Sequence, residues 1–206
     1  MNKTKKKILN TAITIYNEFG IANVRNQDIA EKAGMSLSNF NYHYGAKKDL
    51  IIAVFDLMNE TLQKNVYGNR VLVQEGQGLS ITKSYFEFQE RFSFFYLDTP
   101  NILKMFPELN EKVQKQIEES YQIIKNLNYL AIGMGMMKPE SPDNPGSYDQ
   151  FMRHIWIHNH FWFAHSRIIQ SEGNLVKKGI ESLYNLCYPY LTEKGILSYK
   201  QFIKSL

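Results

Sequence analysis

Cysteine is nearly absent from this chain of 206 residues: Cys187 stands alone, so no intrachain disulfide can form. Such a chain must fold on its apolar core, and it is long enough to bury one. Long apolar runs are missing too. The longest, Tyr129 to Met137, is far short of the roughly 20 residues that span a bilayer. The basic N-terminus is followed by Asn10, Thr11, Thr14 and Asn17 instead of a continuous apolar stretch. No signal peptide is therefore expected, and the expected compartment is the cytoplasm. No segment alternates as a strand. No glycine-rich phosphate loop is present, because Gly133 and Gly135 lack a third glycine and a preceding strand. Serine, histidine and acidic residues show no spacing that suggests a nucleophile, so an enzyme is not expected, nor a cofactor.

What is present is helical periodicity and an uneven charge. Residues 1–50 hold eight basic and four acidic residues, an excess that equals the whole formal net charge of +4. A basic segment beside a neutral body points to a polyanionic partner. Lys3 to Lys7 also fit a solvated tail. The periodicity predicts helices over 4–19, 27–33, 37–44, 47–66, 81–97, 107–137, 147–171, 175–191 and 198–205. Asn26 and Ser36 are the expected caps of the second and third. A loop is expected over 67–80, and another over Lys138–Gly146, which holds three of the six prolines. The fold class is all-α, with a boundary expected near residue 46.

The stretch NQDIAEKAGMSLSNFNYHY over residues 26–44 carries the functional signal. Ile29, Ala33 and Phe40 are apolar where two short helices would cross, Ala30 is small, and Gly34 permits a reversal with positive φ. That pattern is a helix-turn-helix, whose second helix enters the DNA major groove. Tyr16-Asn17-Glu18-Phe19-Gly20, Asp28-Ile29-Ala30, Gly34-Met35-Ser36, Tyr42-His43-Tyr44, Lys47 and Leu50 follow at fixed spacing. On these residues the segment 4–50 resembles the TetR family of bacterial transcription regulators. It departs from the usual pattern at Arg25, Asn26, Ser38, Asn39 and Asn41, where bases or phosphates would be read.

The resemblance implies a three-helix DNA-binding domain (1–46) joined by a long helix to a larger helical ligand-binding and dimerisation domain (47–206). It implies a homodimer on double-stranded operator DNA, off the membrane, and a repressor released by a small-molecule inducer. Asn39 is the best base reader, since its amide can pair with adenine N6 and N7. Leu37, Ser38, Asn41 and Tyr42 can reach bases, and Ser36 leads the recognition helix. Gln27, Tyr42, His43 and Lys47 would meet the backbone, although His43 and Tyr44 also fit packing of the small core. For the dimer interface the expected residues are Ile180, Leu183 and Cys187 on one apolar stripe, with Tyr184 widening it. For the effector pocket they are Tyr85, Phe88, Phe92, Met134, His154, His158, Trp162 and His165. His154 and His158 have the spacing of two metal ligands, but no carboxylate shares their face, so hydrogen-bonded histidines are expected instead of a metal site. A helical small-molecule or metal-binding protein without DNA binding is the second reading.

Overall fold

The computed structural model describes residues 2–68 and 77–206. Among these the chain is built of ten α-helices, and the only β pairing is an isolated bridge between Met137 and Leu191. The first helix, α1 (Lys3–Phe19), begins where the Asn2 side chain accepts the Thr4 N–H at 2.9 Å. Lys3 to Lys7 are thus the first turns of a helix and not a tail. Its buried stripe is Ile8, Ala12, Ile15 and Tyr16, and Gly20 ends it at φ 74°. A 3-10 turn (Ile21–Asn23) leads to α2 (Asn26–Lys32). The N-cap of α2 is Arg25, not Asn26, with the Asp28 carboxylate accepting the Arg25 N–H at 2.7 Å. Gly34, at φ 65°, turns the chain into α3 (Leu37–His43), where Ser36 Oγ accepts the Asn39 N–H at 3.2 Å. Then α4 (Lys47–Thr61) runs on as a π-helical stretch to Tyr67.

The larger part holds α5 (Gln77–Arg91), α6 (Ser93–Met105), α7 (Asn110–Gly133), α8 (Ser147–Ile168), α9 (Leu175–Cys187) and α10 (Glu193–Lys204). It departs from the sequence expectation at several points. Residues 77–80, expected as loop, are the first turn of α5, while 69–76 of that expected loop lie outside the described residues. The single helix expected over 81–97 is broken at Phe92. Pro100 does not stop α6. The helix is interrupted at Asp98 (φ −140°) and restarts with Pro100 in its first turn, where no N–H is needed. Residues 107–109 form a 3-10 turn, and Pro189 ends α9 early by drawing Tyr188–Tyr190 into another. Thr192 caps α10 five residues ahead of the expected start.

One buried cluster runs from Ile8 in α1 through Phe40, Leu50, Val54, Phe55 and Met58 to Phe92, Phe95 and Val113. The first three helices and the larger part therefore share a core. Tyr16 packs on Phe94 at 5.5 Å and Phe55 on Phe95 at 5.7 Å across that junction. A second cluster joins Phe151, Met152 and Ile155 of α8 to Leu183, Cys187 and Leu191. A third sets Phe86 against Phe163, Val176 and Ile180.

Two buried positions test this packing. Gly195 is buried where α10 meets the turn after α7, and a Cβ there would stand 2.1 Å from the Met136 carbonyl oxygen. Gly195→Ala should cost roughly 3 kcal/mol in urea unfolding, because the obstacle is backbone. Gly133→Ala, with nothing within 4 Å, should leave the midpoint unchanged or raise it. Equal midpoints for the two variants would contradict this packing.

His160 is the second case. It is buried, stacked on Trp156 at 4.7 Å and edge-on to Tyr96 at 5.2 Å. Burial pushes its pKa down from 6.5 to about 4. The unfolded chain then binds more protons than the folded one between those values, so this contribution is whole above about 6.5 and is lost as pH falls toward 4. Lowering the pH from about 7.5 to about 5 should cost on the order of 2 kcal/mol through this residue. His160→Gln should remove that share of the pH dependence, and identical slopes in both proteins would rule the assignment out.

Candidate nucleic-acid interface and interior cavity

The helix-turn-helix is held from beneath and bare above. Phe40 is fully buried in the core cluster that also holds residues of α1 and α2, and Tyr44 is buried under the Lys5 ammonium, 5.8 Å from its ring centre. Those two apolar anchors fix the roll of α3. Ser38, Asn39, Asn41 and Tyr42 consequently face solvent, with Leu37 at the leading end 41% exposed and Tyr42 85% exposed. An aromatic side chain left in water on a short helix is unexplained by packing and suits an outside partner. His43 is half-buried, edge-on to Tyr42 at 5.2 Å. Ser36 spends its hydroxyl as the cap of α3, and Gln27 is exposed with its amide on Glu31 at 2.9 Å.

Lys47 requires a correction. Its ammonium donates to the carbonyls of Ile21 at 2.6 Å and Val24 at 2.7 Å instead of pointing outward for a phosphate. Burial lowers its pKa, opposed by the charge of Asp28. Lys47 thus ties the start of α4 to the turn after α1 and positions the reading helix.

The exposed Lys3, Lys5, Lys6 and Lys7 sit at the N-terminal end of α1 with no acidic residue in its first turn. Cations at the positive end of a helix dipole are destabilising, each by a few tenths of a kcal/mol. A bound polyanion reverses that sign.

Asn17 joins this head to the body. Its Nδ2 donates to the Arg91 carbonyl at 2.9 Å, and its Oδ1 accepts the Phe94 N–H at 2.9 Å and the Ser93 hydroxyl at 3.1 Å. One α1 side chain thereby caps both helix ends at the Phe92 break, a role that nothing in its local sequence signals.

The body holds a half-open cavity of about 140 Å³ between α5, α7, α8, α9 and α10. A smaller one of about 40 Å³ shares Thr82, Ile124, Leu127 and Asn159 with it and reaches Tyr67, Tyr85 and Trp156. The expected pocket residues are placed otherwise. Tyr85 alone of the eight lines either cavity, and only the smaller. Phe88 and Phe92 stack on each other at 4.9 Å in the core. Met134 lies at the end of α7, and His154 and His165 are exposed. His158 bonds Ser182 Oγ at 2.9 Å and Asn159 Oδ1 at 3.1 Å, and Trp162 donates to the Leu175 carbonyl. Among the described residues no three His, Cys, Asp or Glu side chains gather as a metal site. The polar residues that do line the cavity, Thr82, Asn128, Asn159 and Tyr199, are scattered singly through apolar helix faces, where sequence periodicity does not mark them.

The expected dimer stripe is also internal. Ile180, Leu183 and Cys187 are buried in the chain's own core, and Tyr184 is half-buried beside Tyr199. Of the apolar residues left uncovered on the body, Ile157 and Phe161, each 44% exposed, and Ile168, 79% exposed, share one face of α8, while Leu130, Tyr188 and Leu197 are exposed on other elements. No helix among the described residues is long and apolar enough to cross a membrane.

Comparison with known proteins agrees with this geometry. A family model described as "Bacterial regulatory proteins, tetR family" matches residues 8–54, and one described as "Bacterial transcriptional repressor" matches 70–199. The biofilm operon icaADBC negative transcriptional regulator IcaR of Staphylococcus aureus is 26% identical over 136 residues, covering 57% of this chain and 69% of its own. Among solved structures, a TetR-family transcriptional regulator from Marinobacter aquaeolei superposes with a TM-score of 0.86 at 20% identity, over 99% of this chain and 98% of the other. A putative transcriptional regulator from Saccharomonospora viridis, in complex with choline, gives 0.75 at 16% identity, over 94% and 100%. With the helix-turn-helix in place and both models together reaching from α1 to α10, the chain belongs to the TetR family of bacterial transcription regulators.

Proposed function

We propose that this protein is a homodimeric, ligand-responsive repressor that acts in the cytoplasm on operator DNA. Residues 1–46 form the reading head, and 47–206 form the body that pairs and senses. The observation that carries the proposal is the bare upper face of α3: Leu37, Ser38, Asn39, Asn41 and Tyr42 are all exposed above the buried Phe40. Asn39 reads a base, because its side chain is free while its backbone N–H is held by Ser36. The lysines at the start of α1, with Gln27 and His43, meet the phosphates, and Lys47 sets the angle of α3.

Two-fold pairing supplies the second recognition helix that strong specificity requires. The exposed stripe of Ile157, Phe161 and Ile168 on α8 is the face we assign to it, self-complementary as a two-fold contact must be. The cavity is the sensing site, and its smaller lobe touches Tyr67, at the end of the stretch that continues α4. A ligand acts by binding one arrangement of the heads more tightly than the other. IcaR is named a negative regulator, and that supports repression as the direction here.

Two experiments test this. Duplexes selected from a random pool should yield a palindromic site, and Asn39→Ala should relax one position per half-site at about 1–3 kcal/mol per lost bidentate pair. An unchanged selected sequence would remove Asn39 as a reader. For the dimer, Phe161→Glu should give a folded monomer in sedimentation with weakened binding to the palindrome, because Phe161 is exposed in the single chain. A Phe161→Glu protein that stays dimeric would move the interface elsewhere.

A further inference from the structure

The chemistry of the cavity wall is specific enough to select a ligand class, an inference that rests on the cavity being the sensing site. Among the described residues no charged side chain lines either lobe. Most of the larger wall is aliphatic or thioether, including Ile124, Leu127, Met136, Met137 and Leu183, and Tyr199 is the one aromatic ring among its described residues. An ion placed in the larger lobe would lose water without a counter-charge, and a cation would find one ring there, the cluster of Tyr67, Tyr85 and Trp156 lying in the smaller lobe of about 40 Å³. Charge of either sign is therefore disfavoured.

The polar groups that remain are set by hydrogen bonds outside the cavity. His158 sits between Ser182 and Asn159, 2.9 Å from one and 3.1 Å from the other. With the Ser182 hydroxyl donating to Nε2, Nδ1–H donates to Asn159 Oδ1. The Asn159 amide N–H groups are then left to face the cavity, with no protein partner among the described residues. Opposite in kind, Asn128 donates its Nδ2 to the Ile124 carbonyl at 2.8 Å and keeps its Oδ1 as an acceptor. A carboxamide donor and a carboxamide acceptor thus serve a wall that is otherwise apolar. The volume of about 140 Å³ is close to that of an apolar cavity known to hold one benzene ring, ~150 Å³.

We infer that the cavity binds an uncharged, compact, mainly apolar molecule of about one ring that bears a hydroxyl or carbonyl oxygen, and that Asn159 donates to that oxygen. Fatty acids, quaternary ammonium compounds and other ions are disfavoured by the wall of the larger lobe.

A matched series tests this on the full-length protein. Benzyl alcohol, benzoate and benzylammonium share one ring and differ in charge. With ε-¹³C-labelled methionine, benzyl alcohol should shift the Met136 and Met137 methyl signals in a saturable way and leave Met35 and Met58, far off in the head and its junction, in place. Benzoate and benzylammonium should bind at least about tenfold more weakly or not at all. Asn159→Leu should weaken benzyl alcohol roughly tenfold, the loss of one hydrogen bond, and leave toluene unchanged or tighter. Ala131→Leu, which narrows the cavity without touching its polar groups, should weaken both neutral probes. Far-UV dichroism and urea midpoints confirm that each variant folds.

Binding of either ion as tight as benzyl alcohol, or no saturable shift with any neutral probe, would overturn the inference. DNA affinity, measured in parallel, separates it from the regulator reading. Saturable neutral binding that leaves DNA affinity unchanged supports the ligand class and counts against ligand-responsive control. Intact DNA binding with no neutral ligand in the cavity overturns the ligand class alone.

Discussion

The head of this protein is aimed by the Asn17 side chain. Three hydrogen bonds from one α1 amide satisfy a carbonyl at the end of α5 and an N–H and hydroxyl at the start of α6. Without them the Phe92 break would leave helix-end groups unpaired in a partly buried seam, at about 1–3 kcal/mol for each orphan. The aromatic contacts on either side, Tyr16 on Phe94 and Phe55 on Phe95, give the seam its bulk. Apolar contacts hold two bodies together but leave their relative rotation soft, whereas a three-bond cap fixes it. The orientation of α3 toward DNA is therefore a property of the body as much as of the head, which is the condition a sensing domain must meet to alter DNA binding.

Within the head, placement of the reading face follows from two fixed points. Phe40 and Tyr44 hold the underside of α3, and the Lys47 ammonium holds the start of α4 to the Ile21 and Val24 carbonyls. The upper face can then carry whatever the operator requires. The lysines at the start of α1 oppose the helix dipole and weaken the isolated head slightly. The same arrangement becomes favourable beside phosphates. The basic excess of the first 50 residues is thus an electrostatic provision for DNA, added to a fold that does not need it.

The head was legible in the sequence because its determinants are local. Gly34, the Ser36 cap and the Phe40 spacing each act within a few residues, and each is found where the pattern put it. The features that escaped have distant partners. The Phe92 break has no glycine or proline beside it, since its cap arrives from Asn17, more than seventy positions earlier. The apolar stripe of α9 reads equally as a subunit interface or as core, and burial against Phe86 and Phe163 decides for core. Periodicity reports that a face is covered but not by what. The cavity was misplaced for a related reason: Phe88 and Phe92 pair with each other and close the space that their size suggested they would line. The α10 start was missed because Thr192 also serves the Met136 carbonyl, through a bridge that only the folded chain forms.

Control of the head by the α1–α6 seam is tested by the distance between the two heads of the dimer. A spin label at Lys32→Cys, on the exposed end of α2, reports it by double electron–electron resonance. Cys187 is buried, with its thiol pushed up to about 12, and leaves the label alone. One narrow distance peak is expected for the otherwise unaltered protein, and a broad distribution once Asn17 is changed to alanine, with the dimer intact. Equal peak widths in the two proteins would contradict it, and would place the control of head orientation somewhere other than the α1–α6 seam.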